Sequence, residues 1–130
     1  QPELHYNMGN TLHRLGDYTR AISETLQMRP DAPAGLLTAA TYNLGNSFFR
    51  LEQYAEAIEA YKQTLRQTPD DMEAKVNLEL ALLKLQEQQE QQEEQEQQEQ
   101  EEQESGDSTP TLRSSEPAER RRSTGGRARR

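Results

Sequence analysis

The sequence predicts an all-α protein built of stacked antiparallel helical hairpins, two repeats followed by a capping helix. Three observations predict it. First, Tyr6-Asn7-Met8-Gly9-Asn10 returns thirty-six residues on as Tyr42-Asn43-Leu44-Gly45-Asn46, and Leu15-Gly16-Asp17-Tyr18 returns as Leu51-Glu52-Gln53-Tyr54. Second, apolar positions inside each copy recur at three- and four-residue spacing, the period of one face of an α-helix. Third, glycine, aspartate and proline punctuate the copies, and no β-rich stretch lies between them. A period in the mid-thirties in a helical chain marks hairpins that bury their faces only against neighbouring hairpins.

The elements follow in order. His5, Met8, Leu12 and Leu15 form the apolar stripe of a first helix over residues 3–15, broken by Gly16-Asp17. A return helix from Tyr18 stops at Pro30, since proline lacks the amide hydrogen and biases the preceding residue away from helical angles. In the second copy Thr41, Leu44, Phe48 and Leu51 are the stripe, Gln53 marks the turn, and residues 54–67 return before Pro69. Thr25 stands where the second copy has Tyr61, and Pro30 adds an early stop, so the first return helix should be about one turn short and more weakly packed. Residues 34–40 carry two extra positions relative to the third copy and read as a longer turn or an extended helix start. A third helix opens after the capping candidates Asp70 and Asp71, with core stripe Leu78, Ala81, Leu82 and Leu85. There Glu79 replaces the glycine of the earlier copies, a side chain at the point of closest approach that excludes a return helix and makes this element a solvating cap. Two repeats and a cap lie near the lower limit for a continuous core, so a marginally stable domain is expected.

Composition divides the chain into a hairpin domain over residues 1–85, a low-complexity extension over 86–104 and a tail over 105–130. Only 31% of the 130 residues are hydrophobic, and nearly all of these precede the extension. The extension holds ten glutamines and nine glutamates. Both are good helix formers, but no apolar seam recurs at heptad spacing, so a solvated helix or coil is expected rather than a coiled coil. The tail, with its Gly, Pro, Ser and charge content, reads as disordered. Its Arg120-Arg121-Arg122 and Arg127-Ala128-Arg129-Arg130 runs give an alternative function, an adaptor to nucleic acid or an anionic membrane surface.

No cysteine is present, which removes disulfides and thiolate ligation. His5 and His13 stand eight residues apart on different faces and make no metal pair. No nucleophile motif or phosphate-binding glycine loop occurs, and the tract glutamates lack the fixed geometry of a cation site. Neither a cofactor nor an enzymatic activity is therefore expected. The chain opens at Gln1 rather than methionine, so its composition excludes no leader or anchor upstream.

The spaced positions resemble the tetratricopeptide repeat family: Gly9 and Gly45 inside the first helices, Tyr18 and Tyr54 opening the second, Ala21 and Ala57 after them, and the closing Pro33 and Pro69. The likeness covers roughly residues 3–85. Two repeats, a third helix beginning Asp70-Asp71-Met72-Glu73-Ala74-Lys75 and a following Gln/Glu tract further resemble the tetratricopeptide proteins encoded with von Willebrand A-domain proteins in bacterial aerotolerance (Bat-type) operons. That resemblance implies an envelope-associated scaffold, periplasmic or membrane-bound, working with von Willebrand A-domain partners and a MoxR-type ATPase. It leaves a cytoplasmic location open.

In such an array the first helices line the concave face, and the partner-binding columns can be named. Tyr6, Asn10 and His13 fall at i, i+4 and i+7, as do Tyr42, Asn46 and Phe49, then Val76, Leu80 and Leu83. Asn7, Asn43 and Asn77 run beside them, while Arg14, Arg50 and Lys84 close each helix as a solvated basic row. Side-chain amides both donate and accept, so the asparagines can serve the backbone of an extended protein or peptide ligand, or else simply stabilise the repeat. The carboxylate clamp of some family members keeps Asn10 and Asn43 here but has Tyr6, Glu73 and Asn77 in its basic places, so that mode is not expected. Val76, Leu80 and Leu83 form a second apolar stripe on the cap helix, open to a ligand or to self-association unless the groove or the Gln/Glu tract covers it.

Overall fold

The computed structural model describes residues 1–28 and 32–108. Five helices follow one another: α1 (Pro2–Arg14), α2 (Tyr18–Met28), α3 (Ala34–Arg50), α4 (Tyr54–Gln67) and α5 (Met72–Ser108). No strand occurs among the described residues. The chain divides into a unit over Gln1–Gln88 and a second beginning at Gln89.

Within the first unit α1 and α2 pack as one hairpin and α3 and α4 as another, with α2 and α1 also resting on α3. Both hairpins turn the same way. The Gly16 and Asp17 amides donate to the carbonyls of His13 and Leu12 at 3.0 and 2.9 Å, closing the last turn of α1. Glu52 and Gln53 repeat this with Phe49 and Phe48, both at 2.9 Å. The motif needs a left-handed residue, which is Gly16 at φ 85° in the first copy and Glu52 at φ 60° in the second. Asp17 and Asp71 then cap the helices that follow, their Oδ1 atoms accepting from the Arg20 amide at 3.3 Å and the Ala74 amide at 3.1 Å.

The glycines inside α1 and α3 are required by close approach. A Cβ on Gly9 would stand 2.7 Å from Thr25 Oγ1, and one on Gly45 would stand 2.7 and 2.8 Å from the Tyr61 ring. The Tyr61 ring therefore lies close against the bare backbone of α3, in a cluster with Ala57, Ile58 and Ala81 that Phe48, Leu78 and Leu85 flank. One cluster of the core thus sits between α3, α4 and α5. Ala21 and Met28 of α2 are buried as well, but the first hairpin offers a hydroxyl at Thr25 where the second offers a ring. The buried hydroxyls of Thr25 and Thr64 each donate one turn back, to Ala21 and Ala60 carbonyls at 2.8 and 3.0 Å.

Three expected core residues are not in the core. Met8 is 39% exposed and Leu15 75%, because among the described residues no helix packs on that side of α1, and Leu15 lies just past the helix end. Leu82 is 47% exposed. It occupies the place of Phe48, which α4 half-covers, but α5 runs on to Ser108 without turning back to supply such a helix. The extra residues after Pro33 extend the start of α3, which begins at Ala34.

α5 continues helical through residues 86–104 and into the segment that composition marks as tail. Its side chains over residues 86–105 are exposed, as expected for a helix without an apolar face. The early stop at Pro30 and the arginine runs of the tail lie outside the described residues.

A left-handed glutamate costs roughly 1 kcal/mol that glycine avoids, less the extra freedom glycine has when unfolded. Glu52→Gly should raise the urea midpoint by about 0.5 kcal/mol equivalent with an unchanged denaturant slope. A lower midpoint would show that Glu52 is not strained.

Candidate functional site

α3 lies between α1 and α5, and polar side chains stitch the three together. Asn43 Nδ2 donates to Asn10 Oδ1 at 2.6 Å, joining α3 to α1. Asn77 Nδ2 donates to the Tyr42 hydroxyl at 3.0 Å and to Asn46 Oδ1 at 3.3 Å, joining α5 to α3. From behind, the Tyr61 hydroxyl reaches through and donates to the same Asn46 Oδ1 at 2.6 Å. Burial, and secondarily the neighbouring Tyr42, push the Tyr61 hydroxyl well above the ordinary tyrosine value of 10.0, so it stays a donor at any physiological pH.

Two depressions open on this face. One, of about 260 Å³, has His13 on one wall, Asn46, Phe49 and Arg50 on its α3 side, and Asn77 and Leu80 on α5. The other, of about 550 Å³, lies at the opposite ends of the helices, where Tyr6, Tyr42 and Asn43 meet Thr38, Gln67 and Asp71. Small residues at the start of α3, Ala34, Gly35 and Ala39, leave the room for it.

The candidate residues thus fall into distinct settings. Tyr6, Tyr42 and Asn43 line the larger depression, and His13, Asn46, Phe49, Asn77 and Leu80 the smaller. Asn10 joins them through its bond to Asn43. Asn7 is exposed and stands outside both, so the asparagine column of the sequence resolves into two cross-bridged pairs, Asn10 with Asn43 and Asn46 with Asn77. Val76 and Leu83 are 56% and 51% exposed, and Leu80 40%. That stripe is exposed, with Leu80 at the edge of the smaller depression.

Two contributors were not singled out by sequence reasoning. Tyr61 presents its hydroxyl to the face although it belongs to a return helix; the signal was its position opposite Gly45. Arg50 belongs to the basic row, yet its guanidinium lies over the Tyr18 ring, 5.1 Å from the centroid. His13 meets the same ring edge-on at 5.0 Å, and its Nδ1 is 2.8 Å from Ser47 Oγ. Phe49 is likewise edge-on to Tyr54 at 5.2 Å. His5, on the other face, pairs with Glu24 at 3.2 Å and ties α1 to α2. Among the described residues no group of three acidic or histidine side chains could hold a metal ion, and no helix is long and apolar enough to cross a membrane.

Hairpins stacked in this way, with side chains of successive first helices shared across one face, define the class of helical-repeat scaffolds. Residues 2–24 and 39–71 each match a tetratricopeptide repeat model, so the first unit carries tetratricopeptide repeats. Such repeats generally mediate protein–protein interactions, and proteins built from them are typically scaffolds rather than catalysts. No curated protein matches the chain.

Partial burial, and then the Arg50 charge, hold the His13 pKa below its ordinary value of 6.5. Protonation is therefore harder in the folded chain than in the unfolded one. The stability this contributes is present above pH 6.5 and is lost as pH falls through the lower folded value. Urea unfolding between about pH 7.5 and pH 5 should show wild type losing more stability than His13→Gln; equal losses would remove His13 from the acid response.

Proposed function

We propose that the first unit is a non-enzymatic scaffold that holds a segment of a partner protein on the face formed by α1, α3 and α5. The observation that carries this reading is the apolar stripe of α5, with Val76, Leu80 and Leu83 exposed side by side next to the bridged asparagines. Exposed apolar side chains gathered in one place are characteristic of interaction sites. The asparagines supply a complementary polar function. Asn43 spends its amide N–H on Asn10 and keeps its carbonyl, while Asn10 keeps its N–H groups. Asn77 and Asn46 divide their groups the same way. Each pair thus offers one donor and one acceptor, the complement of a single peptide group. An extended segment can be held by its main chain on the pairs and selected by an apolar side chain on Leu80 and Leu83.

The partners we propose are von Willebrand A-domain proteins, in a bacterial envelope complex at the periplasmic face or at the membrane. Support comes from the likeness of the cap helix and its Gln/Glu extension to the tetratricopeptide proteins of aerotolerance operons. Self-association through the same stripe is the competing use of it. The net charge of −8 opposes that, since it brings like-charged chains together.

The test is co-purification of the full chain with a von Willebrand A-domain protein from envelope fractions. Leu80→Ser with Leu83→Gln should lower recovery at least tenfold while circular dichroism and melting stay as in wild type, because both side chains are exposed. Recovery unchanged by the double substitution would refute the groove. Binding that survives physiological salt separates it from capture by the arginine tail, which should weaken steeply.

A further inference from the structure

We infer that the smaller depression receives one glutamate side chain of the bound segment. This rests on the face being a protein-binding surface and adds which side chain that surface selects. The depression holds about 260 Å³, room for one side chain.

Its polar groups are biased toward donors, with Asn77 Oδ1 as the acceptor among them. Arg50 has no carboxylate within 4.0 Å among the described residues, unlike Lys84, which pairs with Glu87 at 3.7 Å. The guanidinium lies over the Tyr18 ring, 5.1 Å from its centroid, a contact that uses its π face and not its N–H groups, which can still hydrogen-bond a carboxylate. Asn46 Oδ1 already accepts from Tyr61 and Asn77, so the half of that amide left for a ligand is its NH2 group. His13 engages Ser47 through Nδ1, which leaves Nε2 as the ring nitrogen for the cavity. If Nδ1 accepts from the Ser47 hydroxyl, Nε2 carries the hydrogen and becomes a third donor; a bound carboxylate selects that tautomer. The lowered His13 pKa reflects in part the positive field that Arg50 sets up here.

Three classes of side chain can be compared. A basic one meets Arg50 head-on. A neutral amide satisfies the donors but leaves the guanidinium charge without a counter-charge. A carboxylate satisfies both, and the methylenes of glutamate lie against Phe49 and Leu80 on the walls. A side chain is the source, rather than a chain terminus, because the Asn10–Asn43 pair beyond the cavity is placed to hold main chain that continues past it. None of Arg50, His13 and Asn46 belongs to the clamp positions considered above, so this is a separate site.

The probes are capped peptides, acetyl-Ser-Ala-Leu-X-Leu-Ala-Ser-amide with X as Glu, Gln or Lys, titrated into the 15N-labelled full chain and followed by NMR. The Glu peptide should bind about tenfold more tightly than the Gln peptide, the size of one charge-assisted hydrogen bond, with Lys weaker still. It should move the Arg50 Nε–H and Asn46 side-chain signals and shift His13 to the Nε2–H tautomer. Arg50→Gln should erase the Glu-over-Gln preference and Arg50→Lys retain part of it; Arg50 is exposed, so both variants should keep the wild-type fold. Equal binding of the Glu and Gln peptides, with Asn10 and Asn43 signals moving, overturns the glutamate site and leaves the groove standing. An uncapped Gln peptide that matches the capped Glu peptide assigns the site to a chain terminus and also overturns it. No response to any peptide overturns the site and the groove together.

Discussion

The missing side chain at Gly45 is the constraint on which the rest of the first unit depends. Because α3 presents bare backbone there, the Tyr61 ring can lie within contact of it, and a methyl group would already intrude to 2.7 Å. At that depth the Tyr61 hydroxyl reaches Asn46 on the far face of α3. Asn46 is thereby turned with its oxygen toward Tyr61, and that oxygen also receives Asn77 of α5. Close packing between α3 and α4 is thus converted, through one phenol and one amide, into the placement of the cap helix. The cap in turn sets where Val76, Leu80 and Leu83 stand. A contact in the core and a surface for a partner are two ends of one chain of interactions.

The three copies show what happens as that constraint is varied. With glycine and threonine, in the first hairpin, the helices approach but no group reaches through to the face; the link to α3 is made instead by Asn10 and by His13 with Ser47. With glycine and tyrosine, in the second, the core is densest. With Glu79 in the third copy no return helix follows among the described residues, and α5 continues as a solvated helix whose glutamines and glutamates need no partner helix. Leu82 is left exposed by the same cause.

Much of this was legible in the residues. The helix starts and stops, the close approach at Gly9 and Gly45 and the capping role of Asp71 follow from local chemistry, which acts over a few residues and leaves its mark in the pattern. What periodicity cannot show is which neighbour covers a stripe. Met8, Leu15 and Leu82 have the right spacing for a core, but no helix among the described residues closes over them. The pairing of the asparagines was hidden for a related reason. Asn10 corresponds to Asn46 and Asn46 to Leu80, yet Asn10 bonds Asn43 and Asn46 bonds Asn77, three residues earlier in each case. Bonds between successive first helices therefore join non-equivalent positions, a packing property that alignment of the repeats erases.

The coupling of core to groove is most directly tested by a double-mutant cycle on Tyr61→Phe and Asn77→Ala. Both side chains donate to Asn46 Oδ1, so each substitution removes one of its two donors. Both also touch Tyr42, whose ring contact with residue 61 Tyr61→Phe retains. The account predicts a coupling energy of about 0.5–1.5 kcal/mol in urea unfolding, because losing one donor frees Asn46 to reorient and weakens the other bond. Additivity within about 0.3 kcal/mol would contradict it, since the cap helix would then be placed independently of the tyrosine behind it.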